Sequence, residues 1–237
     1  MNSRNPVFVA LDTTDPAAAA AMAARLSGLV GGIKLGLEFF NANGPAGVQA
    51  AVAGVRMPLF VDLKLHDIPN TVAGGMKGIV RLGPAITTIH ASGGAAMMRA
   101  AVDAAGDEAA RLGVARPKVV AVTVLTSLDQ QAAEAVGISG PVQAQVERLA
   151  VLAKESGVDG IVCSPKEVAA VRALAGPDFT LVVPGIRPAW AEAGDQKRVM
   201  TPREARAQGA DVLVIGRPIT GAADPADAAR KIAAELA

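Results

Sequence analysis

Residues 59–71 read Leu59-Phe60-Val61-Asp62-Leu63-Lys64-Leu65-His66-Asp67-Ile68-Pro69-Asn70-Thr71, and the fold turns on how that stretch is taken. Its opening, Leu59–Leu63, is a short apolar run suited to a buried strand, and charge enters only where the run ends. Side chains of a strand alternate faces, so Asp62 and Lys64 point the same way while Leu63 and Leu65 pack behind them. Asp67 follows the strand and precedes Pro69. On spacing alone Asp67 reads as a helix N-cap or as a member of one site with Asp62 and Lys64. The pair Asp62 and Lys64 reads in turn as a structural ion bridge or as reactive charge.

The same unit recurs on both sides. Apolar runs rich in Val, Ile and Leu fall at Val7–Leu11, Gly32–Leu35, Leu59–Leu63, Ile86–Ile89, Val119–Leu125, Gly160–Cys163, Leu181–Val183 and Val212–Ile215. Most lack strict alternation, as expected of parallel strands buried on both faces. Between them lie helical patterns such as Pro16–Leu29, Ala95–Leu112, Pro141–Ser156, Pro165–Ala175, Pro202–Gln208 and Pro225–Leu236, several opened by proline behind Asp or Ser. Eight strand–helix units in 237 residues make an α/β protein of the (β/α)₈ TIM-barrel class, with residues 1–237 as one domain. A doubly wound open sheet is the rival, but the first turn, Leu11-Asp12-Thr13-Thr14-Asp15-Pro16, has no glycine fingerprint. Two connections, Thr126–Gly140 and Arg187–Thr201, are long enough to act as binding loops or lids.

Composition narrows the partners. Lys and Arg number 23 against 22 Asp and Glu, and 51% of residues are hydrophobic. That is neither a disordered chain nor the basic field of a nucleic-acid binder. The single cysteine, Cys163, excludes an internal disulfide. Met1–Val7 has no apolar signal core, and no uninterrupted apolar run reaches membrane-spanning length. The expectation is a cytoplasmic protein that engages neither membrane nor nucleic acid.

In a barrel, chemistry collects where strands end, and those positions hold Asp12, Lys34, Asp62, Lys64, His90, Thr126, Ser127, Ser164, Arg187 and Arg217. Closure brings the ends of the first three strands together, so an alternating Asp–Lys–Asp–Lys–Asp set can form. Carboxylates around Lys64 hold it as an ammonium ready to give a proton. A third negative charge brought by substrate meets repulsion of roughly 4 kcal/mol per close contact at an effective dielectric of about 20. Its loss as a neutral molecule relieves that, so the charge pattern leans toward decarboxylation followed by protonation. After strands seven and eight, Pro184-Gly185-Ile186-Arg187 and Gly216-Arg217-Pro218 pair glycine with arginine, the combination that lets backbone amides and a forked donor meet phosphate. Read singly, each is a turn glycine beside a surface arginine.

The remaining candidates have plainer readings. His90 is a base or a hydrogen-bonded structural histidine, and His66 supports its loop; two histidines make no zinc site. Cys163 reads as core, Ser164 as an N-cap, Met97-Met98 as helix packing, and Gln196 as part of a solvated polar run.

Taken together, Leu11-Asp12, Ile33-Lys34-Leu35-Gly36, the stretch from Phe60 to Thr71, Ile89-His90-Ala91-Ser92-Gly93-Gly94, Val124-Leu125-Thr126-Ser127, Pro184-Gly185-Ile186-Arg187 and Gly216-Arg217-Pro218 resemble the orotidine 5′-phosphate decarboxylases of the bacterial type, over essentially the whole chain. The resemblance implies the last step of de novo pyrimidine synthesis, a nucleotide substrate, no metal or organic cofactor, and a homodimer with shared active sites. It implies Lys64 as proton donor to C6, with Asp62, Lys34 and Asp67 completing the array and Asp67 and Thr71 coming from the partner chain. Asp12 and Lys34 would hold the ribose, Thr126 and Ser127 the pyrimidine, and Arg187, Gln196, Gly216 and Arg217 the phosphate; a family loop matches Gly194–Arg198. The alternatives are a sister barrel, a sugar-phosphate decarboxylase or aldolase using magnesium, and a non-catalytic phosphate-binding barrel.

Overall fold

A computed structural model describes residues 5–191 and 200–236. Eight strands, β1 (Val7–Ala10), β2 (Gly32–Gly36), β3 (Leu59–Leu65), β4 (Ile86–His90), β5 (Lys118–Val122), β6 (Gly160–Val162), β7 (Thr180–Pro184) and β8 (Val212–Ile215), pair in chain order. All pairs are parallel, and β8 returns to β1 to close the barrel. The helices are α1 (Pro16–Leu26), α2 (Leu37–Val52), α3 (Pro69–Val80), α4 (Gly94–Leu112), α5 (Gln130–Ala135), α6 (Val142–Glu155), α7 (Val168–Ala175), α8 (Pro202–Ala207), α9 (Arg217–Thr220) and α10 (Pro225–Leu236). Among the described residues no helix is long and apolar enough to cross a membrane.

Strand alternation divides the core in two. Val7, Val9, Val61, Ile89, Leu181, Val183, Leu213 and Ile215 face outward and pack under the helices. Phe8, Ala10, Phe60, Ile86, Val120, Val182, Val212 and Val214 fill the barrel itself. Inside, Phe8 meets Phe60 edge to face at 6.2 Å. Gly32 makes room for that packing, because a Cβ there would lie 2.4 Å from the Phe8 ring. The apolar plug stops below the ends of β1–β3, which leaves the next inward positions to charged groups.

The expected elements are all present, with shifted ends. α1 stops at Leu26 rather than Leu29, since Gly28 turns the chain at φ +78°. β5 leaves the ladder after Val122, not Leu125: β6 is only three residues long and offers nothing to pair beyond Val162. The helix expected from Pro165 begins as a 3₁₀ turn, Pro165–Glu167, with the backbone N–H of Ser164 donating to the Glu167 carboxylate at 2.7 Å. The long connection after β5 is not bare loop: Asp129 caps α5 by accepting from the Ala132 amide at 3.0 Å. Glu108 of α4 accepts from Arg81, just past α3, and from Arg111, at 2.7–2.8 Å. Those bonds hold its carboxyl down at about 2 and tie α3 to α4.

Candidate active site

Asp62 is the centre of the charged rim. It is 8% exposed, and Lys34 Nζ lies 3.3 Å from its Oδ2 while Lys64 Nζ lies 2.9 Å from its Oδ1. Lys34 also comes within 3.9 Å of Asp12, so β1, β2 and β3 contribute an Asp12–Lys34–Asp62–Lys64 chain. Burial pushes the Asp62 carboxyl up. Lys34, Lys64 and a hydrogen bond from Thr88 outweigh it and hold the group below the ordinary carboxylate range. An unpaired carboxylate at this depth would cost several kcal/mol, so the two ammonium groups are needed to keep it charged. Gly36 leaves space for one of them, since a Cβ there would sit 3.2 Å from Lys34 Nζ.

Simple alternation does not account for Lys64. Its φ is +51°, in the left-handed region, which costs roughly 1–3 kcal/mol for a residue with a side chain. The pairing of β3 with β4 slips at this point: Val61 opposes Thr87 and Leu65 opposes Ile89, so three residues of β3 face Thr88 alone. Lys64 reaches Asp62 from a bulge, not from a regular strand. Its amide N–H donates to Thr88 Oγ1 at 2.9 Å, and that hydroxyl donates to Asp62 Oδ1 at 2.9 Å.

A cavity of about 260 Å³ opens beside this cluster. Phe60, Val162, Val182 and Val214 line it with apolar surface, and Asp12, Lys34, Asp62 and Lys64 with charge. Gly185, Arg187, Gly216 and Arg217, from the ends of β7 and β8, add to the lining. Arg187 is buried, and its backbone N–H donates to the Met200 carbonyl at 2.9 Å, which fixes the chain on both sides of 192–199. Thr126 also lines the cavity.

Eight of the residues singled out in the sequence therefore converge here. Asp67, Thr71 and Ser127 do not: each is exposed and lies off the cavity wall of this chain. Asp67 is not an N-cap either, because Ile68 holds that position in α3 and Asp67 instead accepts from the Ile68 amide at 2.7 Å. Gln196 lies outside the described residues. His90 closes β4 and stacks on His66 at 5.3 Å. Burial, then His66 and Lys64, hold its imidazole below 6.5. Cys163 is buried in the core, where burial raises its thiol out of the reactive range. Thr88 is a site residue that the rim charges do not point to; its position two residues after inward-facing Ile86 is the signal for it. Among the described residues no group of three or more His, Cys, Asp or Glu could hold a metal ion.

The fold and site define a (β/α)₈ barrel enzyme with an ion array at the ends of its first three strands and paired Gly–Arg loops after its last two. Comparison with known proteins supplies the particular family. Residues 5–232 match the family described as "Orotidine 5'-phosphate decarboxylase / HUMPS family". The chain is 75% identical to an orotidine 5′-phosphate decarboxylase of Paramagnetospirillum magneticum over 98% of both chains. It is 57% identical to one of Rhodospirillum rubrum, over 99% of this chain and 95% of that one. A crystal structure of orotidine 5′-phosphate decarboxylase from Lactobacillus acidophilus superposes with a TM-score of 0.86 at 38% identity, covering 98% of this chain and 99% of that one. The chain belongs to the orotidine 5′-phosphate decarboxylase / HUMPS family.

Proposed function

We propose that the chain, acting as a single cytoplasmic domain, decarboxylates orotidine 5′-phosphate to uridine 5′-phosphate, the last step of de novo pyrimidine synthesis, without metal or organic cofactor. The observation that carries the reading is Asp62 held between Lys34 and Lys64 at the wall of the cavity. The substrate carboxylate takes its place beside Asp62. Two carboxylates in contact repel by roughly 4 kcal/mol at an effective dielectric of about 20, and departure of neutral carbon dioxide removes that repulsion. The C6–carboxylate bond breaks, its electron pair stays on C6, and an N–H of Lys64 supplies the proton that replaces it. Lys64 is then neutral and regains a proton before the next turnover.

The rest of the cavity binds and orients. Asp12 and Lys34 hold ribose hydroxyls, Thr126 and Ser127 meet the pyrimidine, and Arg187, Gln196, Gly216 and Arg217 take the phosphate. Phosphate lies far from the breaking bond, so its binding energy holds the carboxylate against Asp62 rather than relaxing with it. Asp67 and Thr71 reach the site of a second copy in a homodimer. In support, residues 66–71 are exposed beside the site and include Ile68, 67% of whose surface is open.

The test is conversion of orotidine 5′-phosphate to uridine 5′-phosphate by the purified protein in excess EDTA. Turnover undiminished by the chelator is expected. No turnover overturns the reading, and activity that EDTA removes and magnesium restores points to the sister barrels instead.

A further inference from the structure

The bulge in β3 leaves a backbone group that the sheet does not serve. Asp62, Leu63 and Lys64 sit opposite the single residue Thr88, so the regular ladder has no carbonyl in register for the Lys64 amide. Thr88 Oγ1 takes that place, accepting from Lys64 N at 2.9 Å. Because the hydroxyl accepts there, its own proton is directed elsewhere, and it goes to Asp62 Oδ1 at 2.9 Å. That same oxygen receives Lys64 Nζ. One fully buried hydroxyl thus connects the backbone of one charged residue to the carboxylate that holds its side chain.

We propose that Thr88 is a positioning residue for the decarboxylation, its hydroxyl fixing Lys64 and Asp62 in a single relative geometry. The proposal rests on Lys64 being the proton donor. Thr88 touches no reacting atom. Its part is to choose the rotamer of Asp62 that presents Oδ1 to Lys64 and Oδ2 to Lys34, and to keep Lys64 at its positive φ when the substrate carboxylate crowds the site. A threonine suits both demands: it is fully buried, and its hydroxyl both donates and accepts.

The experiment compares Thr88→Val, which keeps the shape and removes the hydroxyl, with Thr88→Ser, which keeps the hydroxyl. Loss of a hydrogen bond to a charged group predicts a fall in kcat of about 10- to 100-fold for Thr88→Val, with KM and uridine 5′-phosphate affinity changed by less than about threefold. The acid limb of its kcat profile should move to higher pH, because Asp62 loses a donor to its ionised form. Thr88→Ser should restore kcat and the limb. Wild-type kcat in Thr88→Val, equal losses in both variants, or a loss confined to KM overturns the proposal. Thr88→Ala gives the same comparison where Thr88→Val does not fold. Amide hydrogen exchange at Lys64 gives a reading independent of turnover: it should accelerate in Thr88→Val and not in Thr88→Ser, and unchanged exchange overturns the proposal. A wild type that is itself inert refutes the assigned reaction, and the exchange data then still decide whether Thr88 holds Lys64.

Discussion

Lys64 donates to Asp62 at 2.9 Å from a backbone held at φ +51°, so the contact between these two residues is made by a bulge and not by the pleat of the strand they share. The ammonium therefore has a defined position before substrate arrives. In the proposed role of proton donor to one carbon, Lys64 benefits from that, since little reorganisation is left for the reaction itself. Strain at Lys64 and the burial of Asp62 are both tolerated because each residue supplies the other's partner.

If Lys64 is the proton donor, replacing it with alanine should remove the chemistry while leaving the proposed phosphate and ribose contacts in place. Turnover is expected to fall by at least about 10²–10⁴-fold, with uridine 5′-phosphate still bound in calorimetry. Turnover near the wild-type rate would take Lys64 out of the chemistry.

Arg217 distinguishes binding from chemistry in a different way. Arg217→Ala should lower kcat/KM for orotidine 5′-phosphate by about 10- to 100-fold, the usual loss for a charge-assisted hydrogen bond. On orotidine, which has no phosphate, the same variant should work about as well as wild type. Equal losses on both substrates would place Arg217 away from the phosphate.

The partner contribution can be read from mixed dimers. If Asp67 completes the site of the other copy, a heterodimer of Lys64→Ala and Asp67→Ala chains has one intact site and one doubly altered site. Random mixing should then recover about a quarter of wild-type activity from two inactive proteins. Verified heterodimers without activity would show that Asp67 serves its own chain, and an Asp67→Ala protein active by itself would show that it serves neither.

The surroundings of His90 set the sign of one pH dependence. Burial first, then the neighbouring His66 and Lys64, depress its pKa below 6.5. A group depressed on folding contributes stability above its unfolded pKa, and that contribution is lost as pH falls through the folded value. Melting temperature should therefore decline as pH drops from 7 through about 6.5 and below. The same scan on His90→Asn should be flatter between those pH values, and an unchanged slope would assign the decline to other groups.

Much of the site could be read without coordinates. Asp12, Lys34, Asp62, Lys64, Arg187 and Arg217 interrupt apolar runs at their ends, and in a parallel barrel such positions share one rim. Hydrophobic periodicity also placed every strand, although β5 and β6 end earlier than their apolar runs because a strand persists only while a neighbour pairs with it. Asp67 was legible as a residue of interest but not as to place; its exposure beyond β3 follows from α3 starting at Pro69, with Ile68 as its cap.

The sequence by itself determined the repeating strand–helix order, the closure count of eight and the identity of the rim charges, because each is written in local patterns of apolar and charged residues. It could not place Lys64 in the left-handed region or give Thr88 its two hydrogen bonds. Those depend on how β3 slides against β4, and register between strands is a property of two distant segments packed together. Net charge of +1 hides the outcome: a near-neutral chain concentrates two lysines on one buried carboxylate, and only the tertiary fold brings them within 3.3 Å of it.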